Sequence, residues 1–106
     1  MNGLMMNMPL NLKTIIEHGS RVNGDAEIVS VTRDNPRHRY TYRDAFKRAN
    51  QLASAMQAWG LQQGDNIATL GWNDYRHFET YYAVSCSGYV THTINPRLFP
   101  EQLIYI

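Results

Sequence analysis

Four histidines, His18, His38, His77 and His92, and one cysteine, Cys86, are the side chains best suited to metal binding or nucleophilic attack. Their spacing speaks against both. No two of the histidines, and no histidine with Cys86, stand in the short ligand pattern of a tetrahedral zinc site. A Cys86 and His92 pair would need a third group to orient the imidazole, and the sequence names none. In "YVTHTIN" the period of two puts His92 on one face with Val90 and Ile94, which predicts a buried, hydrogen-bonded ring.

Glycines Gly60 and Gly64 of "GLQQGD" offer phosphate-loop chemistry, but a phosphate cradle follows a strand and opens a helix. Here the glycines end a helical pattern and lead into a strand, so a turn is predicted. Arg33, Arg37, Arg39, Arg43, Lys47 and Arg48, interleaved with Tyr40 and Tyr42, have the residue types of a nucleic-acid surface. Asp34 and Asp44 dilute the run, and its place on a hairpin and the outer face of a helix predicts a solvated surface instead. The loops "GWND" and "NPRL" follow apolar strands, the position where α/β sheets meet their ligands. The residues themselves favour structural duties: Asn73 or Asp74 capping a helix, Trp72 packing, and Asn95 with Pro96 bending the chain.

The elements that would position these groups are legible. "LNLKTIIEHGSRV" gives Asn11 as an N-cap, Leu12, Ile15 and Ile16 at helical spacing, and Gly19 as a stop. "AEIVSVTR", the turn "DNPR" and "HRYTY" predict a hairpin. "TYRDAFKRANQLASAMQAWG" carries a capping box, Thr41 with Asp44, and an apolar stripe through Tyr42, Ala45, Phe46, Ala49, Leu52, Ala53, Met56 and Trp59. Arg43, Lys47, Arg48, Gln51 and Gln57 fall on its wet faces. Then come a strand, "NIATLG", a helix with Tyr75, Phe78 and Tyr82 on one side, a strand, "YVTHTIN", and a helix opening in "PRLFPEQLIYI". Strand, helix, strand, helix predicts a parallel sheet, hence an α/β fold. Two parallel strands, a hairpin and these helices leave sheet edges and apolar faces uncovered. No capping signal follows Ile106, so the sequence predicts more polypeptide beyond it.

Composition sets outer bounds. A chain of 106 residues with 43% hydrophobic content suits one small globular domain, and a net charge of +1 disfavours a general nucleic-acid or anionic-membrane binder. A lone cysteine cannot form an internal disulfide, the Met-rich opening lacks the basic start of a signal peptide, and no apolar run reaches the roughly 20 residues of a membrane helix. A cytoplasmic setting is predicted.

The stretches "YTYRDAFKRANQLASAMQAWGLQQGDNIATLGWN", "YRHFETYYAV" and "HTINPRLFPEQLIYI" resemble the N-terminal part of a fatty-acyl-CoA synthetase, a medium- or long-chain acyl-CoA ligase of the AMP-forming adenylating superfamily that also holds luciferases and aryl-CoA ligases. The resemblance implies that residues 1–106 are the start of an AMP-binding domain and an incomplete subdomain of a much longer enzyme. It implies a parent that joins a fatty acid to coenzyme A by way of an acyl-adenylate, using ATP and Mg²⁺, with a homodimer among its expected assemblies. It assigns no catalytic, cofactor-binding or metal residue here, because the family's phosphate loop, Thr-Glu pair, ribose-binding Asp and catalytic lysine have no counterparts in the chain. Asn95, Pro96 and Arg97 match as a strand-to-helix junction, and Arg76, His77 and Glu79 as part of the preceding helix. "SCSGY" departs from the family's small residues before the next strand, since Tyr89 adds bulk. The fragment alone is expected to be inactive and to bind no cofactor. Two rival readings are a free-standing non-catalytic dimerisation module and a ligase for aryl or branched acids.

Overall fold

The computed structural model describes residues 3–106. Helix α1 (Leu12–Val22) starts where predicted: the Asn11 carboxamide accepts the Thr14 amide N–H at 3.0 Å. It does not stop at Gly19. The Gly19 carbonyl accepts the Asn23 N–H instead, and a Cβ on Gly19 would make an ordinary contact with the Tyr42 ring, at 3.4 Å.

Strands β1 (Glu27–Ser30) and β2 (His38–Thr41) form the expected antiparallel hairpin, with Ile28 opposite Tyr40 and Ser30 opposite His38. These four are half-buried, while Val29 and Val31 point to solvent. Helix α2 (Tyr42–Ala58) follows at once. Its capping box is complete, since Thr41 Oγ1 accepts the Asp44 N–H and Asp44 Oδ2 accepts the Thr41 N–H, each at 3.2 Å. The predicted stripe is buried at Ala45, Ala49 and Met56 but fails at its far end, where Trp59 is 73% exposed. Periodicity gives the direction of the stripe and not how far a neighbour reaches along it; α3 is shorter, at 11 residues against 17.

Gly60 and Gly64 carry φ of 89° and 92°, the left-handed conformation that the turn into β3 requires. Strand β3 (Asn66–Leu70), helix α3 (Tyr75–Ser85) and strand β4 (Val90–Ile94) make the β–α–β unit, with β3 and β4 parallel. Helix α4 (Pro100–Tyr105) closes the description. Tyr89 causes no disorder at the junction: α3 ends at Ser85, and Tyr89 packs half-buried against the core.

The core lies where α2 crosses α3: Ala49, Met56, Ala83 and Val84, with Leu52, Leu61, Ile67, Tyr82 and Tyr89 packed around it. The β3–β4 ribbon therefore has two unlike faces. Ile67, Thr69 and Thr91 turn toward the helices, whereas Ala68, Leu70, Val90 and His92 are exposed. The fold is α/β, with two small sheets and flanking helices, as the element grammar predicts.

Candidate functional site

Because β3 and β4 are paired from Asn66 opposite Val90 to Leu70 opposite Ile94, their carboxyl ends finish level. The loops that follow open on the same side and together line a cleft of about 390 Å³. "GWND" and "NPRL", far apart in sequence, are thus brought to one place.

Asp74 caps α3, its Oδ1 accepting the backbone N–H of Arg76 at 2.8 Å and of His77 at 3.1 Å. Asn73 is left free of that duty and lines the cleft. Trp72 does not pack into the core as its type predicts; it is 62% exposed, with the Arg97 guanidinium carbon 5.4 Å from its ring centroid. Asn95 does bend the chain, its Oδ1 accepting the Arg97 N–H at 2.9 Å and its carbonyl the Leu98 N–H at 3.2 Å. Among the described residues Arg97 has no carboxylate within ion-pair distance. With His77 beside it, the cleft offers a cation, an imidazole and an exposed indole, and no carboxylate lines it. That set suits an anionic, flat-ended ligand; His77 supplies an imidazole, but no Ser, Cys or Lys nucleophile lines the cleft beside it.

The remaining histidines stay apart. His18 is exposed, and His38 stacks on Tyr75 with centroids 3.6 Å apart. His92, predicted to be buried, is exposed, because alternation defines two strand faces without saying which one is covered. Among the described residues no three His, Cys, Asp or Glu side chains gather as a metal site would need. Cys86 is half-buried beneath α1; burial, then the Glu17 carboxylate, push its thiol above the ordinary value, so at neutral pH it is not the thiolate a nucleophile requires. His92 is not among the residues around it.

Half of the basic run is paired: Arg39 meets Glu27 at 2.8 Å, Arg43 meets Asp25 at 3.1 Å, and Arg48 is the third, while Asp34 is drawn away to Arg76 of α3 at 2.5 Å. Arg48 is not the free surface cation its wet-face position predicts. It reaches Glu79 of α3, Nε to Oε1 at 2.6 Å, and Glu79 is only 6% exposed. The sequence held one signal of this, since Glu79 falls four residues after Tyr75 and three before Tyr82, on the helix's own buried stripe.

Residues 16–106 match the family model described as AMP-binding enzyme. Over all 106 residues the chain is 49% identical to a 3-methylmercaptopropionyl-CoA ligase of Ruegeria lacuscaerulensis and 45% identical to a medium-chain-fatty-acid–CoA ligase of Ectopseudomonas oleovorans. It spans about a fifth of the length of these curated relatives, 20% and 19%. A solved chain from Rhodopseudomonas palustris described as a long-chain-fatty-acid CoA ligase superposes with a TM-score of 0.74 at 26% identity, over 91% of this chain and 23% of that one. A family model matching residues 16–106, alignment along the whole length and a superposition over 91% of the chain lead to one assignment: this chain belongs to the AMP-binding enzyme family.

Proposed function

We propose that residues 1–106 are the amino-terminal portion of an AMP-forming acyl-CoA ligase and supply scaffold to its AMP-binding domain. The observation that carries this reading is unbroken alignment of the chain with ligases that act on aliphatic acids. In the longer protein the acid's carboxylate attacks the α-phosphate of ATP, releasing pyrophosphate, and the thiol of coenzyme A then displaces AMP from the acyl-adenylate. The strand-end cleft fits a supporting part in this, since the Arg97 guanidinium beside Trp72 suits a phosphate-bearing ligand such as ATP or coenzyme A. Nothing in that lining suits Mg²⁺, so the metal and the bond-making groups belong to the rest of the polypeptide in this reading, and the isolated segment is inactive. The apolar surface of Met6, Met8, Leu10 and Ile15 supports a homodimer, and a single free cysteine accords with the cytoplasm. Among the described residues no helix is long and apolar enough to cross a membrane.

The test is ATP–pyrophosphate exchange by the full-length protein with octanoate, followed by acyl-CoA formation. Exchange that depends on the acid is expected; none with any aliphatic, branched or aryl acid defeats the reading. The similarity to the Ruegeria ligase favours a second, narrower reading, a short thioether acid. A kcat/KM for 3-methylmercaptopropionate below that for octanoate would exclude it.

A further inference from the structure

Asn23 and Gly24 stand together where α1 ends, and the order of these two residues has a chemistry of its own. The backbone nitrogen that follows an asparagine can attack that residue's carboxamide, and glycine shields it least, having no Cβ. The pair is therefore the dipeptide most open to loss of ammonia in plain water.

Neither reacting group is held by another duty. Asn23 is exposed, and its carboxamide makes no hydrogen bond among the described residues; α1 is closed by its backbone N–H, given to the Gly19 carbonyl at 3.0 Å. The Gly24 N–H has no backbone acceptor among them either. Glycine is required at this place by closeness and not by a left-handed φ, since a Cβ would collide with the Ser20 carbonyl and lie 2.8 Å from Arg43 Nη2.

The neighbours supply the restraint. Asn23 has ψ of 32°, which turns the Gly24 nitrogen away from the Asn23 side chain, so attack requires the intervening peptide to rotate. Rotation gives up the bond from the Ala26 N–H to the Asn23 carbonyl, at 3.0 Å, and strains that from the Arg43 N–H to the Gly24 carbonyl, at 3.1 Å. Arg43 Nη1 also meets Asp25 Oδ1 at 3.1 Å, which draws the guanidinium across Gly24. Both members of that ion pair are mostly in solvent, so the clasp opens at modest cost.

We propose that Asn23 is a site of slow, spontaneous deamidation, gated by release of the end of α1 from Arg43. The Gly24 nitrogen, its proton lost to hydroxide, bonds to Asn23 Cγ; the Cγ–Nδ2 bond breaks, and Nδ2 leaves as ammonia with a proton from water. Water then opens the cyclic imide, its hydroxyl joining one ring carbonyl and its proton returning to the nitrogen. Opening at Cγ leaves an aspartate, and opening at the main-chain carbonyl leaves an isoaspartate, whose backbone is longer by one methylene. Water is consumed and ammonia released, with no oxidant or reductant. Either product places a new carboxylate at the negative end of α1, beside Asp25, and so loosens the helix that lies over Cys86.

The experiment ages the full-length protein at mildly alkaline pH, folded and in urea, and maps its peptides by mass spectrometry. Conversion at Asn23 in the folded protein is expected to be about tenfold slower than in urea, yet faster than at Asn50 or Asn66, which precede Gln51 and Ile67. Asn23→Gln should abolish it, and Arg43→Ala, its fold checked by circular dichroism, should speed it about threefold. Cys86 should be alkylated faster in the converted fraction than in fresh protein. No conversion at Asn23 in the folded protein, once the urea sample has converted fully, overturns the site. Equal rates in the two conditions, or in Arg43→Ala and the parent, overturn the gate. These readings are independent of ligase turnover.

Discussion

Two arginines reach across the molecule to a carboxylate with nearly equal geometry, Arg48 to Glu79 at 2.6 Å and Arg76 to Asp34 at 2.5 Å. The surroundings differ. Glu79 is sealed between α2 and α3, with 8% of its side chain exposed, whereas Asp34 sits on the hairpin turn with 63% exposed. Contact distance therefore says little about worth. A buried carboxylate cannot fall back on water when its partner leaves, and an exposed one can. The first pair ties α2 to α3; the second tacks the exposed hairpin turn to the start of α3 and is open to salt and acid.

The largest effect expected from this contrast is for Arg48→Ala, which strands Glu79 without a partner and lowers stability by about 2 kcal/mol, the usual cost for a buried pair reduced because Arg48 itself is half in water. A lower urea midpoint at unchanged slope checks it, and a loss no greater than that of Asp34→Asn would erase the distinction. Next comes Glu79→Gln, about 1 kcal/mol, because the amide can still accept a hydrogen bond and Arg48 can turn to solvent. The order of these two variants is the sharper result, since it separates desolvation from simple attraction.

The smallest effect belongs to the Asp34 latch. Hydrogen bonding from Arg76, then from Thr32, lowers its pKa to about 2 from an ordinary 3.8. A depressed carboxylate adds stability that is fully present above its unfolded-state value and is lost as pH falls through its folded-state value. The latch is thus expected to weaken between about pH 4 and pH 2 and to fade in high salt. Acid titration of Asp34→Asn against the parent chain reads this: the variant should lack that step, and an identical step in both would assign it elsewhere.

What was legible in the sequence was what depends on near neighbours. The Thr41–Asp44 box, the Asn11 cap, the glycine turn and the parallel order of β3 and β4 all rest on residues a few positions apart or on the grammar of strand and helix. The misreadings share another cause. Trp59, Trp72 and His92 were assigned to buried roles from type and periodicity, yet burial depends on which face another element covers. Glu79 was hidden for the converse reason, because a charged residue on an apolar stripe makes sense only once Arg48, thirty-one positions away, is placed beside it. The strand-end loops were located correctly as a place, while the division of labour between Asn73 and Asp74 needed the actual cap geometry.

Trp59 and Trp72 are the two indoles of the chain, and both are bathed in solvent while the fold is intact. Their emission will already be red-shifted in the native state and will change little on denaturation, so circular dichroism is the better gauge of melting. The same property turns them into beacons: a blue shift on mixing with another polypeptide or a nucleotide signals that a wet surface has become dry, and replacing one indole at a time tells which end was covered.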